Sequence, residues 1–200
     1  MNRKACIAIF LTTALPLSAQ TEYSDGVFEF TVGPSAHFPI SDYVGRMAGL
    51  NLAVDYISAY GNVYMFDMNI GVGNAKEEFP TGEGWIENND DLIAPHIYFN
   101  YGRIMKEIEK FRTFPFGGIG VGGYELNHDT YDEYYPSKAG ISFDAGFCLD
   151  WVFTRRYRSD EEHSHALRIK PFISMTRLNA PLKWVPSLNL SVSYTFGTTF

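Results

Sequence analysis

The chain is poor in the features that mark most soluble or helical proteins. It has two cysteines, Cys6 and Cys148, so no disulfide framework can be built from it. No apolar run reaches the ~20 residues an α-helix needs to span a bilayer; the longest, Ala5 to Leu15, has about eleven. A formal charge of −7 removes nucleic acid as a partner, because phosphates would repel the chain. No phosphate-cradling loop or dinucleotide fingerprint is present: Gly117, Gly118, Gly120, Gly122 and Gly123 fall within a strand pattern, where glycine lets backbones bend and pack. Low-complexity linkers, long charge blocks and internal repeats are missing as well, which at 200 residues points to a single domain.

What is present begins at the two ends. Arg3 and Lys4 precede the short apolar run, Pro16 breaks it, and Ser18-Ala19 offers the small residues of a cleavage point. This order predicts a secretory signal peptide over 1–19 and one exported domain over 20–200. Loss of Arg3 and Lys4 takes the charge from −7 to −9 and leaves Cys148 as the sole cysteine. At the far end Leu188, Leu190, Val192, Tyr194, Phe196 and the terminal Phe200 share one parity, against Asn189, Ser191, Ser193 and Thr195 on the other. A last strand of this kind resembles the C-terminal signature of small Gram-negative outer-membrane β-barrels. The resemblance implies that Tyr194, Phe196 and Phe200 form the segment read by the barrel-assembly machinery.

Period-two alternation recurs between the ends. Phe28, Phe30, Val32, Ala36 and Phe38 oppose Glu29, Thr31 and Ser35; Leu50, Leu52, Val54 and Tyr56 oppose Asn51 and Asp55. Tyr64, Phe66, Met68, Ile70 and Val72 oppose Asp67 and Asn69, and Ile93, Ile97, Phe99 and Tyr101 face away from His96 and Asn100. A glycine-rich strand near Pro115–Glu125 has no assignable faces. Ala139 to Trp151 and Leu167 to Met175 alternate in the same way, so that with the terminal strand there are about eight strands. The fold class is all-β: an antiparallel up-and-down transmembrane β-barrel. Pro34, Pro95 and Pro171 lie within strands and predict bulges or strand ends, since proline cannot donate to a ladder.

Parity alone does not say which face points inward; a soluble periplasmic lipocalin-like barrel has the same alternation reversed. Small polar residues on one face, aromatic residues near strand ends on the other, and the terminal Phe200 favour a polar interior and a lipid-facing exterior. Eight strands leave a lumen just wide enough for side chains. Glu29, Asp55, Asp67, His96, Asp144, Asp150, Arg168 and Lys170 would share it, as a structural polar network like that of the OmpA and OmpX-type barrels it resembles. Expected partners are outer-membrane lipid and lipopolysaccharide, plus the assembly machinery during biogenesis; the barrel is expected to be a monomer without cofactor or metal.

With both ends in the periplasm, external loops fall near Pro39–Gly45, Asn74–Asp91, Asn127–Ser137 and Arg177–Pro186, and internal turns near Ser58–Asn62, Arg103–Thr113 and Thr154–His165. Met105–Lys110 has the composition of one helical turn. Carboxylates crowd the second loop (Glu77, Glu78, Glu83, Glu87, Asp90, Asp91) and the third (Asp129, Asp132, Glu133), without the spacing of a calcium loop, so solvated loop charge is the stronger reading than a divalent-cation site. A non-enzymatic structural or loop-display role is the leading expectation. A lipid A-modifying enzyme is the alternative, since Ser35 and His37 share a strand face. Their nearest same-parity acid, Glu29, is roughly 20 Å away along a strand, too far to orient the imidazole. His163-Ser164-His165 carries metal-binding donors but equally suits a plain polar turn.

Overall fold

The computed structural model describes residues 26–81, 84–108, 110–127, 137–158, 161–179 and 181–199. The expected signal peptide, most of the third external loop and Phe200 lie outside them. Eleven strands follow one another: β1 (Val27–Pro39), β2 (Val44–Ile57), β3 (Asn62–Ala75), β4 (Phe79–Pro80), β5 (Trp85–Ile86), β6 (Asp91–Arg103), β7 (Lys106–Ile108), β8 (Phe111–Leu126), β9 (Ser137–Arg158), β10 (Glu161–Arg177) and β11 (Trp184–Thr199). Eight of them are long, from 13 to 22 residues, more than the ~9–11 a tilted strand needs to cross a bilayer. Each long strand pairs antiparallel with its neighbours in sequence, β6 pairs with β8, and β1 pairs with β11. The result is a closed, eight-stranded, up-and-down barrel with no free edge around its girth.

Register fixes the stagger. Starting at His165 on β10, successive cross-strand partners are Phe196, Phe30, Val54, Phe66, Phe99, Ile119, Phe143 and finally Met175, ten residues further along the same strand. After His165 every member of this row is apolar and directed outward. The row one residue over runs through Thr31, Ala53, Asp67, Tyr98, Gly120, Ser142 and Thr176, and it faces inward. Phe66 is 52% exposed while its neighbour Asp67 is fully buried. A one-residue slip anywhere would exchange the two rows, so burial of the charged face specifies the pairing.

The glycine-rich strand now has faces. On β8, Ile119 and Val121 point outward, and Gly118 and Gly122 lie opposite Asn100 and His96 of β6. A Cβ on Gly118 would sit 1.8 Å from Asn100 Oδ1, and one on Gly122 would sit 2.0 Å from His96 Cδ2. Glycine there leaves room in a crowded lumen for the large polar residues of the adjoining strand.

The prolines make no bulges. At Pro34, Pro95 and Pro171 one ladder loses two successive pairs while the other continues, and the register on both sides of the gap is the same. The missing N–H deletes a bond to one neighbour only, and the strand keeps its course. Register shifts occur elsewhere, at Val44/Met47 and His165/Ala166.

Three of the expected connections are corrected. Lys106–Ile108 forms strand β7 against the start of β8 rather than a helical turn, because Arg112 and Phe114 face the lumen and draw the chain into the ladder. The β9–β10 hairpin extends to Arg158 and Glu161, so Thr154–His165 is mostly strand. The second external loop contains the β4–β5 hairpin, with Phe79 and Ile86 fully buried in the barrel mouth.

Candidate functional site: the lumen

The interior is stratified. At the end where Val27 and Thr199 pair, Val27, Ile57, Val63, Met65, Ile104 and Phe114 close the lumen with an apolar floor. At the long-loop end, Phe79, Ile86, Leu92, Tyr124, Leu182 and Val185 close it with an apolar lid. The polar side chains lie between the two.

Lowest is a five-membered ion cluster. Arg168 donates from Nε to Asp150 Oδ1 at 2.7 Å, from Nη2 to Glu29 Oε2 at 3.0 Å, and from Nη1 to Asp55. Arg112 donates from Nη2 to both oxygens of Glu29, at 2.8 and 2.7 Å, and from Nε to Asp150 Oδ2 at 3.0 Å. The Arg168 guanidinium also lies over the Phe114 ring, 5.4 Å from its centroid. Arginine suits this place because its planar fork satisfies several carboxylates at once and is weakly hydrated, which eases burial.

One layer up, Lys170 pairs with Asp67, which also accepts from Asn51 Nδ2 at 3.1 Å and Asn100 Nδ2 at 2.9 Å. The Asn100 amide reaches Asp144 Oδ2 at 3.2 Å, and so bridges two carboxylates. No ion pair to Asp144 is made among the described residues. The Lys170 ammonium lies 5.4 Å from the Phe172 centroid and 5.9 Å from that of Phe116.

Highest is a hydroxyl and imidazole layer. Tyr98 OH meets Ser142 Oγ at 3.0 Å, Ser142 meets Thr176 at 2.9 Å, and Thr176 Oγ1 is 3.4 Å from His96 Nε2. His37 and His96 stack with centroids 6.5 Å apart. Ser35 Oγ is 3.1 Å from His37 Nε2, and His37 Nδ1 is 2.9 Å from Asn189 Oδ1. The amide of Asn189 donates to the Ser187 carbonyl at 3.2 Å, which can only accept, so its oxygen is the atom turned to His37. In the neutral ring, Nδ1 therefore carries the proton and Nε2 accepts from the Ser35 hydroxyl. The orienting third group missing from the sequence is an asparagine from β11, not Glu29.

That serine–histidine–asparagine chain has the connectivity of a nucleophile and its base, but not the access. The adjoining cavity is about 10 Å³, room for one water, and is lined by His37, Asn69, His96, Tyr98, Ser174 and Asn189 among others. A cavity of that size has no room for an ester group.

All eight lumen residues named from the sequence are buried and inward-facing, seven of them in two groups. Glu29, Asp55, Asp150 and Arg168 meet in the ion cluster; Asp67, Asp144 and Lys170 meet above it, and His96 stands apart near the lid. Arg112 was missed. It sits where a turn was expected, yet five acids facing only two fixed cations already called for another base, and Arg112 shares the parity of inward-facing Phe114 and Phe116. Tyr194 is exposed and Phe196 half-buried on the outer wall.

Outside, aromatic residues form a row at the end where Val27 and Thr199 pair. Phe28, Tyr56, Tyr64 and Tyr101 follow one another at centroid spacings of 5.0, 6.3 and 5.5 Å. His163 and His165 belong to this belt and not to a turn: His163 stacks on Phe196 at 5.9 Å, and His165 bonds the Tyr194 hydroxyl. Among the described residues no three His, Cys, Asp or Glu side chains group as a metal site. In the second loop Asp90 Oδ2 accepts from the Glu87 N–H at 2.7 Å, while Asp91 accepts from the Asn74 amide.

No family model and no curated protein matches the chain. Among solved structures, it is similar to Ail, the attachment invasion locus protein of Yersinia pestis, in complex with the heparin analogue sucrose octasulfate (12% identity, 86% of this chain and 99% of that one, TM-score 0.49). It is similar also to Neisserial surface protein A (8%, 89% and 98%, 0.47) and to the outer membrane protein OprG of Pseudomonas aeruginosa (12%, 86% and 96%, 0.46). At such identities nothing about ligand or activity passes from them to this chain.

Proposed function

We propose that the chain is an outer-membrane β-barrel of a Gram-negative bacterium, exported by a leader over 1–19, with a packed lumen and a structural or loop-displaying role rather than an enzymatic one. The observation that carries this reading is the inversion of its surfaces. Phenylalanine, leucine, isoleucine and valine cover the outside of every long strand, whereas Arg112, Arg168, Lys170 and five carboxylates are buried inside. In water such an exterior would be a far larger exposed apolar patch than soluble monomers carry. In hydrocarbon it is the stable arrangement, because a closed barrel satisfies its backbone internally. A lipocalin-like reading requires the opposite faces.

Lid, floor and ion layers support a closed barrel instead of a pore. The lumen network then serves stability, and the loops beyond the lid are what the barrel offers to the outside. Lipid and lipopolysaccharide are its surroundings, and Tyr194, Phe196 and Phe200 its recognition segment for assembly. The test is fractionation followed by electrophoresis with and without boiling. The barrel is expected in the outer membrane with a mobility change on heating; a soluble protein without that change would overturn the reading.

The Ser35–His37–Asn189 chain favours a second reading, an acyl-transferring or acyl-hydrolysing enzyme whose lid opens. Ser35→Ala and His37→Ala distinguish the two: the lipid A acylation pattern, read by mass spectrometry, is expected to stay as in wild type in both. Loss of the same acyl-chain difference in both variants would establish the enzyme.

A further inference from the structure

The apolar lid rests directly on two histidines. Met47, Ala94 and Tyr124 pack into the lid cluster and also line the small cavity beneath it, together with His37 and His96. The His96 ring meets the Tyr124 ring edge-on, with centroids 6.2 Å apart, and lies within 14° of the plane of His37. A Cβ on Gly71 would sit 3.1 Å from His37 Cδ2, so His37 is packed against the wall behind it.

Each imidazole can take a second proton without losing a hydrogen bond. His37 Nε2 faces the Ser35 hydroxyl and His96 Nε2 the Thr176 hydroxyl, and a hydroxyl turns readily from donor to acceptor. What the cavity does not offer is a counter-charge. Facing it are the phenols of Tyr98 on β6 and Tyr124 on β8, Asn69 on β3, Met47 on β2, and Ser187 and Asn189 on β11. Lys170 on β10 acts on His37 as a like charge. Asp67 on β3 is engaged by Lys170 and Asp144 on β9 by the Asn100 amide; among the described residues neither bonds an imidazole. Lys138 on β9, at the mouth, donates to the Asn179 carbonyl, and Glu77, Glu78 and Glu87 of the hairpin segment are solvent-exposed. Two imidazolium ions would therefore repel each other and Lys170 in a space with room for one water.

The lid can yield without disturbing the barrel. β4 and β5 form a sheet of their own, outside the barrel ladder. Their hairpin is tied to the β1–β2 loop by the Lys76 N–H on the Tyr43 carbonyl at 2.7 Å and the Lys76 ammonium on the Ser41 carbonyl at 3.0 Å. Its seat is apolar: Phe79 and Ile86 are buried, and Phe79 meets Tyr43 edge-on at 6.0 Å.

We infer that the β4–β5 hairpin is an acid-opened gate, released when His37 and His96 take up protons and water enters the cavity beneath it. The ion layers and the floor stay closed below, so what opens is a mouth pocket and not a pore. The inference needs only the lid and the imidazole layer, and holds whether the barrel displays loops or acts on acyl chains. Protonation and opening favour each other because the charged rings are stable only where water reaches them. An imidazole in water is half-protonated near pH 6.5. Each ring then raises the open population about tenfold between about pH 7.5 and pH 5.5, and two raise it about a hundredfold.

Hydrogen exchange at single amides tests it, read by mass spectrometry on the barrel in phospholipid nanodiscs at those two pH values and corrected for the intrinsic pH dependence of exchange. In wild type the Lys76 amide is expected to exchange about a hundredfold faster at the lower pH, while the amides of Asp67 and Asn69 in the β3 ladder keep their protection. His37→Gln and His96→Gln are each expected to cut the rise to about tenfold, and the double variant to remove it. Glutamine keeps a hydrogen-bonding amide, and the heat-induced mobility change checks that each variant folds. A wild-type rise of less than about threefold would overturn the gate without any variant. A full rise in the folded double variant would assign the opening to other groups, and an equal rise at Asp67 and Asn69 would make it a loosening of the whole barrel; either result overturns the inference.

Discussion

Arg112 gives the most demanding test of the lumen. Its guanidinium holds both oxygens of Glu29 and one of Asp150 inside a sealed interior, with the side chain only 5% exposed. Arg112→Met keeps much of the length and removes the charge. Removing one member of a buried ion network is costly because it leaves the remaining charges uncompensated; typical losses are ~3–5 kcal/mol. Arg168 also reaches Glu29 and Asp150, so the lower half of that range, about 3 kcal/mol, is expected here. The sign of the remedy is fixed by charge. The two ion layers hold five acids against three bases, Arg112, Arg168 and Lys170, and Arg112→Met worsens the imbalance there, while Glu29→Gln corrects it by one unit.

A double-mutant cycle follows. Glu29→Gln alone leaves Arg112 with Asp150 and should destabilise moderately. The pair Arg112→Met with Glu29→Gln should be more stable than the sum of the two losses by at least 1 kcal/mol, within the range for residues sharing one network. Urea unfolding in phospholipid vesicles, followed by tryptophan fluorescence and by the fraction of heat-modifiable band, supplies the free energies. A loss below ~0.5 kcal/mol for Arg112→Met would match an ordinary surface substitution and refute the buried cluster. So would strict additivity in the cycle.

Three further outcomes are expected. Phe66→Arg puts a cation on the outer row and should cost ~2–4 kcal/mol in vesicles if the row lies near mid-bilayer, whereas a soluble barrel would tolerate it. Asp67→Asn should destabilise by about 3 kcal/mol by stranding Lys170, while Asp144→Asn, which breaks no ion pair, should cost about 1 kcal/mol or less in the same unfolding assay. Equal losses at the two positions would refute the assignment of Lys170 to Asp67. Phe200→Asp should reduce the heat-modifiable barrel in pulse-labelled cells while processed precursor accumulates at the wild-type rate; normal assembly would show that the terminal aromatic is dispensable.

How much of this was legible in the sequence depended on the range of the physics. Alternation is local, so Phe66, Asp67 and Met68 declare opposite faces without any knowledge of what lies across the barrel, and the strand order follows once neighbours in sequence pair. The charged residues of the lumen were legible for the same reason: a carboxylate in the middle of an alternating strand has one direction to point. What could not be read were meetings set by the ten-residue stagger. Arg112 and Glu29 are 83 positions apart, and Ser35 and His37 find their third partner 152 positions away from the histidine, on the last strand. Parity says that these side chains point inward, but only the register says at what height, and register accumulates over eight pairings. The lid illustrates the opposite failure. Phe79 and Ile86 are apolar residues in an acidic loop, separated by the six residues Pro80 to Trp85, and they read as loop because a two-residue strand has no period to detect. Their burial has a long-range cause: a barrel lined with charges needs its mouth closed against water, and the nearest apolar side chains able to do so lie on the loop above it.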